Sequence, residues 1–192
     1  GHGIASALFM ARTIGLLRIL AMTIIQPDKL LAKLNDRLCI NNETNLFVTM
    51  FCGFLDVETG KLVYSNGGHC PPILAEGGQT RELAIPKGPL VGAFPGARFV
   101  SMTHELILGN TLYCYTDGVT EAQNKAGEEF SEERCNKALD EVASQPLLAV
   151  LEAVRHKVAE FSGTGILEDD FTMLAIRRTA SGMPKSMQHN LS

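Results

Sequence analysis

The sequence predicts an α+β fold, and three observations predict it. Two helical segments open the chain, a run of short strand-like segments broken by Gly, Pro and Asn follows, and a helical stretch then precedes one last strand. Helices and strands are therefore segregated rather than alternating. At 192 residues the chain has the size of one domain with a real core.

The elements follow in order. "GHGIASALFMA" reads as a glycine loop closing onto a helix, and the apolar run from Ile4 to Ile25 reads as a buried helix that stops near Gln26-Pro27. Arg12 and Arg18 interrupt that run, leaving no uncharged stretch near the ~18 residues of a membrane span. Leu30, Leu31, Leu34 and Leu38 form the stripe of a second helix. "LFVTMFCGFL", Leu46 to Leu55, is apolar on both alternating faces and reads as an interior strand covered on both sides, and "DVETGK" turns it into "KLVYS" as a hairpin. Short strands around Ile73 and Leu83 are parted by Gly77-Gly78, and "RFVSMTHELIL" and "TLYCYT" are strands joined at Gly109-Asn110. Ser131 is placed as the cap of a helix. Leu147, Leu151, Val154, Val158 and Phe161 form a second helical stripe, and "FTMLAIR" from Phe171 is the final strand. Residues 179–192 have no periodicity and are expected to be a flexible tail after a domain spanning 1–178.

Composition narrows the function. A net charge of -4 offers no basic groove for nucleic acid. Five scattered cysteines with no CxxC pair suggest reduced thiols of a cytoplasmic protein rather than zinc ligands or a disulfide framework. The start lacks the basic region and small-residue cleavage site of a signal peptide, so the chain is expected to be a fragment cut from a longer protein.

The chemistry sits in carboxylates. In "TLYCYTDGVTEAQN" an apolar strand ends at Asp117, and Gly118 leaves room for a tight turn or a close ligand. Asp-Gly is also a common turn, so Asp117 needs a partner to mean more. Asp169 and Asp170, with Glu168 before them, directly precede the last strand; if that strand runs antiparallel to the one ending at Asp117, the carboxylates meet at one edge. Without Asp117 these acids would read as a solvated loop. Converging carboxylates repel unless a cation neutralises them, and an all-oxygen donor set favours Mg²⁺ or Mn²⁺. His69 in "SNGGHCPP" can be an acid-base group, but its glycine and proline neighbours favour a structural role in a rigid turn. Gly1 and Gly3 around His2 could hold an anion at the helix start, a weak signal alone. No GxSxG elbow is present, and no cysteine pairs with a His and an acid in sequence.

Taken together, "GHGIASALFMA", "FVTMFCGFLDVETGKLVYSNGGHCPPIL", "LYCYTDGVTEAQN", "GEEF" and "DDFTMLAIR" resemble, in order, the metal-dependent PPM-type serine/threonine phosphatases, and within them the bacterial branch of sporulation stage II E and sigma-factor regulator phosphatases. The resemblance runs from Gly1 to about Arg178. It implies a four-layer α-β-β-α sandwich of two antiparallel sheets, here lacking its first strands. It implies two Mn²⁺ or Mg²⁺ ions holding a water that attacks phosphoserine or phosphothreonine. Asp117 and Asp169 correspond to family metal ligands, catalytic through that water, and Asp170 is expected to support them from behind. The family's glycine loop reads DxxGHG, and its bridging aspartate would lie three positions before Gly1, so this fragment is expected to be an impaired catalyst.

The expected activity is therefore hydrolysis of a phosphorylated STAS-type signalling protein, an anti-sigma-factor antagonist, in the cytoplasm, with no nucleic-acid or membrane partner within this stretch. Such phosphatases often carry a sensor domain upstream. The competing expectation is a pseudophosphatase module that docks such a partner without hydrolysing it.

Overall fold

A computed structural model describes residues 3–163 and 171–180. Gly1, His2, Glu168, Asp169, Asp170 and the expected tail from residue 181 onward lie outside the described residues. Two helices, α1 (Ile4–Ala21) and α2 (Pro27–Cys39), precede the strands β1 (Met50–Leu55), β2 (Lys61–Gly67), β3 (Ile73–Glu76), β4 (Gln79–Glu82), β5 (Ser101–Glu105) and β6 (Thr111–Tyr115). Helices α3 (Ser131–Val142) and α4 (Leu147–Ser162) follow, then β7 (Met173–Arg177). One sheet has the order β1-β2-β5 and the other β4-β3-β6-β7, with every pairing antiparallel.

Three apolar layers hold four structural ones, the α-β-β-α sandwich expected. Leu31, Leu34 and Leu38 of α2 pack with Phe9 of α1 on Met50, Cys52, Val91 and Phe99. Leu62 and Tyr64 of the first sheet meet Leu74 and Leu112 of the second. Ile73, Tyr113 and Tyr115 then lie under Cys135, Leu139, Val150, Val154 and Val158 of α3 and α4. This packing buries the α2 stripe, while Pro27 sets the first turn of the helix and Asp28 and Arg37 suit the two ends of its dipole.

The structure corrects three expectations. Helix α1 is not a buried helix: only Phe9 and Thr13 are buried, while Ile4, Leu8, Ile19 and Met22 are exposed. It is long and apolar enough, at 18 residues and mean hydropathy 1.6, to cross a membrane by those measures alone. Here one side packs on α2, and Arg12 donates to the carbonyls of Arg37 and Ile40 at 2.5 and 3.0 Å. Strand β1 has both faces packed and is an edge strand among the described residues, but it is shorter than Leu46 to Leu55: the chain at 46–49 lies outside it, tied by a Val48–Val91 bridge. Strands β5 and β6 form as expected on either side of Gly109-Asn110, and they sit in different sheets. Ser131 does not cap α3 through its side chain; it is the first helical residue, at φ 68°, and its N–H donates to the Thr120 carbonyl at 2.8 Å.

Between the outer edges of β1 and β7 an apolar slot of about 400 Å³ opens, lined by Met50, Phe51, Leu62, Leu112, Leu174 and Ile176.

Candidate metal centre

Asp117 stands where the sequence places it. Strand β6 ends at Tyr115, and Asp117–Val119 forms one 3₁₀ turn in which the Asp117 carbonyl accepts from Thr120 N–H at 2.9 Å and Glu121 N–H at 2.8 Å. The carboxylate is exposed, and its Oδ1 accepts from Gly118 N–H at 3.1 Å. Gly118 and Val119 of this turn are buried. No Lys or Arg among the described residues forms an ion pair with Asp117.

The expected antiparallel partner is β7. Tyr115 pairs with Met173, and beyond that register Thr116 and Thr172 exchange hydrogen bonds: Thr116 N–H to the Thr172 carbonyl and Thr172 N–H to Thr116 Oγ1, both at 3.0 Å. The end of β6 and the start of β7 therefore share one edge, with Phe171 the last described residue on the approach to Asp170 and Asp169. Gly3 lies before the first turn of α1, accepting from Ala7 N–H at 3.1 Å.

His69 sits at the same edge. The segment from Gly68 to Pro72 carries the chain from β2 in one sheet to β3 in the other, and Asn66 Nδ2 donates to the His69 carbonyl at 3.1 Å. Its Nδ1 lies 3.0 Å from Thr49 Oγ1. Burial holds the imidazole pKa below its ordinary value, opposed by the Asp117 charge and by the Tyr115 backbone. Thr49 was missed by sequence reasoning. A lone hydroxyl in an apolar run was its only local sign.

The surroundings are electronegative. Burial, then Asp117, Glu132 and Glu121, push the Cys70 thiol up. Tyr115, whose buried hydroxyl lacks a hydrogen-bond partner, is raised by burial and by Glu132. Glu82 is raised by burial and by the charge of the neighbouring Glu132 carboxylate. No group of three or more His, Cys, Asp and Glu forms a metal cluster among the described residues. An exposed carboxylate without a cationic partner, in negative surroundings, still fits a hard divalent cation.

The Glu82 pair carries a pH signature. A carboxyl raised in the folded state contributes stability below the ordinary glutamate pKa, and that contribution is lost as pH rises through the folded value. Glu82→Gln is therefore expected to melt higher than the parent at about pH 7 and to lose that advantage at about pH 4. Thermal melts at both values check it, and a variant less stable near neutrality would contradict it.

Comparison with known proteins bears on the family and the fold. Phosphoserine phosphatase RsbU of Bacillus subtilis is 25% identical over 186 residues, covering 93% of this chain and 53% of RsbU. Protein IcfG of Synechocystis is 30% identical over 133 residues, 69% of this chain and 21% of IcfG. The chain thus spans about half or less of these relatives. Among solved structures, the RsbU and RsbW domains of Rv1364c from Mycobacterium tuberculosis superpose with TM-score 0.79 at 23% identity, covering 95% of this chain and 51% of that one. Two others sharing the fold concern metals in their own right: the Mn-presoaked SpoIIE phosphatase domain of Bacillus subtilis (TM-score 0.63, 16% identity, 90% of this chain and 76% of that one) and RsbX in complex with magnesium (0.63, 15%, 91% and 75%). The family model of Stage II sporulation protein E (SpoIIE) matches residues 1–179. On that match the chain belongs to the SpoIIE family, as a PP2C-type phosphatase domain similar to that of RsbU.

Proposed function

We propose that this domain hydrolyses phosphoserine or phosphothreonine on a small signalling protein of the STAS type, with Asp117 and Asp169 as carboxylate ligands of Mn²⁺ or Mg²⁺. The observation that carries the reading is the exposed Asp117 carboxylate, lacking a Lys or Arg ion pair among the described residues, at the edge where β7 begins. When bound, the ions supply an activated water and neutralise phosphate charge. The chain's own residues do the rest: Gly118 N–H orients the Asp117 carboxylate, the β6–β7 register fixes the edge, and the negative field of Glu121 and Glu132 favours cations there. The same reading gives Asp170 a supporting role to Asp169 and His69 a structural one.

The name of RsbU and the RsbW domain beside the Rv1364c phosphatase domain support sigma-factor regulatory partners, and the five free cysteines support a cytoplasmic site. Among the described residues the outer edges of β1 and β7 have no strand partner, and the apolar slot lies between them, which supports a sandwich with room for further strands. The test is phosphate release from a phosphoserine STAS protein with Mn²⁺ or Mg²⁺, by this chain and by one extended upstream through the DxxGHG aspartate. Metal-dependent turnover by the extended chain, with the 192-residue chain well behind, is expected. Tight binding of the phosphoprotein without hydrolysis by the extended chain would overturn it in favour of a docking module.

A further inference from the structure

From an apolar cleft beside the first two turns of α1 we infer that the domain holds its substrate by more than the phosphate: the cleft seats a large apolar side chain that the phosphoprotein carries a few residues from its phosphoserine. The inference rests on the proposed phosphatase reading and adds what the substrate must present.

The cleft opens at the end of the sandwich that carries Asp117. Tyr115 of β6 pairs with Met173 of β7, and Tyr113 pairs with Ile73 of β3, so the end of β6 and the starts of β3 and β7 lie together there. Residues 68–72 cross from the end of β2 to the start of β3, and Gly67 at the end of β2 pairs with Met50 at the start of β1. The chain entering β1 therefore arrives at that same end. Its residues Leu46, Phe47 and Val48 form one wall of the cleft, and Ala7, Phe9 and Met10 of α1 form the other, around about 500 Å³. Strand ends lie about 5 Å apart within a sheet and about 10 Å apart between sheets, a span that about three to five residues of extended chain cover.

The lining selects the ligand. Among the described residues no charged side chain lines the cleft, while Met10 and Phe47 leave about half their surface in water, where covering it is favourable. The walls are also fixed in advance: Asn42 Oδ1 accepts from Leu46 N–H at 3.0 Å, and its Nδ2 donates to the Leu46 and Gly92 carbonyls at 2.7 and 3.1 Å. Val48 exchanges two backbone hydrogen bonds with Val91, each 3.0 Å. A preformed apolar cleft binds without the cost of ordering itself. Charge favours the same occupant, because Glu121 stands on the turn after Asp117 and the chain carries a net charge of -4, so acidic flanks of a phosphoprotein are repelled. An apolar contact is affinity that this field does not oppose.

The experiment uses the chain extended upstream through the DxxGHG aspartate, with Mn²⁺ and two kinds of probe. Phosphoserine peptides of alanine carry one Leu, scanned over about five positions on either side to match that span. The other probe, p-nitrophenyl phosphate, has no peptide and reports the metal site alone. The parent should favour Leu at one position over the all-alanine peptide by about tenfold in kcat/KM, the low end for an apolar group that fits a hydrophobic pocket. Ala7→Phe fills the cleft and Phe47→Ala removes a wall; each should erase that preference through KM, with p-nitrophenyl phosphate turnover within about twofold of the parent. Both positions are exposed, so both variants should fold. A parent without a Leu preference at any position, or one that turns over only p-nitrophenyl phosphate, overturns the inference, as does a preference that survives both variants. Should Ala7→Phe lower the melting temperature by more than about 4 °C while the parent shows no Leu preference, the cleft is filled by upstream chain and the inference falls. Failure of the underlying reading looks different: Asp117→Asn hydrolysing p-nitrophenyl phosphate as the parent does, or a parent that turns over neither probe, sinks the metal reading and the substrate cleft with it.

Discussion

Asp117→Asn is expected to leave the fold intact and to lower Mn²⁺-dependent phosphoserine hydrolysis by more than about a hundredfold. Removing an outer partner of a metal site costs about 10–100-fold, and a direct ligand stripped of its charge should cost more. The structural cost is small because the carboxylate is exposed and its fold-holding bonds are not made by the charge. The Thr120 and Glu121 N–H groups donate to the Asp117 backbone carbonyl, and an amide oxygen can still accept from Gly118 N–H. A stability change within about 0.5 kcal/mol is therefore expected, as for other surface sites. Steady-state hydrolysis of a phosphoserine protein against Mn²⁺ concentration, beside a thermal melt, separates the two effects. Turnover at the parent's rate would remove Asp117 from the metal centre.

What could be read from the sequence divides along physical lines. Local periodicity encodes burial, so the α2 stripe, with Leu30, Leu31, Leu34 and Leu38 at most 1% exposed, was legible. So was α4, where Val154 and Val158 reach full burial. The tip of β6 was legible because an apolar strand that stops at an acid must place that acid at its end. Helix α1 was not: its apolar residues lie all round the axis, so no stripe says which side is covered. The edge position of β1 could be expected only from the early strands that the family resemblance implies, since alternation reports the two faces of a strand and says nothing about its hydrogen-bonding flanks. The division of β5 and β6 between sheets is likewise set by packing, not by the Gly109-Asn110 turn. The contact of Thr49 with His69 joins residues 20 positions apart across two elements, and no sequence spacing encodes such a meeting. Asp117 could be found alone, whereas its support required the fold.

Gly60→Ala is expected to be the opposite kind of change, costing stability while sparing the chemistry. Gly60 closes the β1–β2 turn at φ 79°, a backbone conformation that costs an L-residue about 1–2 kcal/mol. Space is denied as well: a Cβ there would meet the Leu106 carbonyl oxygen and the Arg178 guanidinium far inside van der Waals contact. Neither neighbour can yield cheaply. Leu106 N–H donates to the Gly60 carbonyl at 2.9 Å, and Arg178 donates to the Leu106 carbonyl at 2.8 Å and the Glu58 carbonyl at 2.6 Å. Strain and overpacking together should cost about 3 kcal/mol, which for a chain of this size lowers the melting temperature by roughly 6–12 °C. The knot joins the β1–β2 turn to the exits of β5 and β7, whereas Asp117 lies past the other end of β6, beside the start of β7. Turnover per folded molecule should therefore match the parent when measured well below the melting transition, in the same extended protein used to test function. A melting temperature within about 2 °C of the parent would show that the turn relaxes without strain. A fall in turnover at full folding would show that the two ends of the sandwich are coupled.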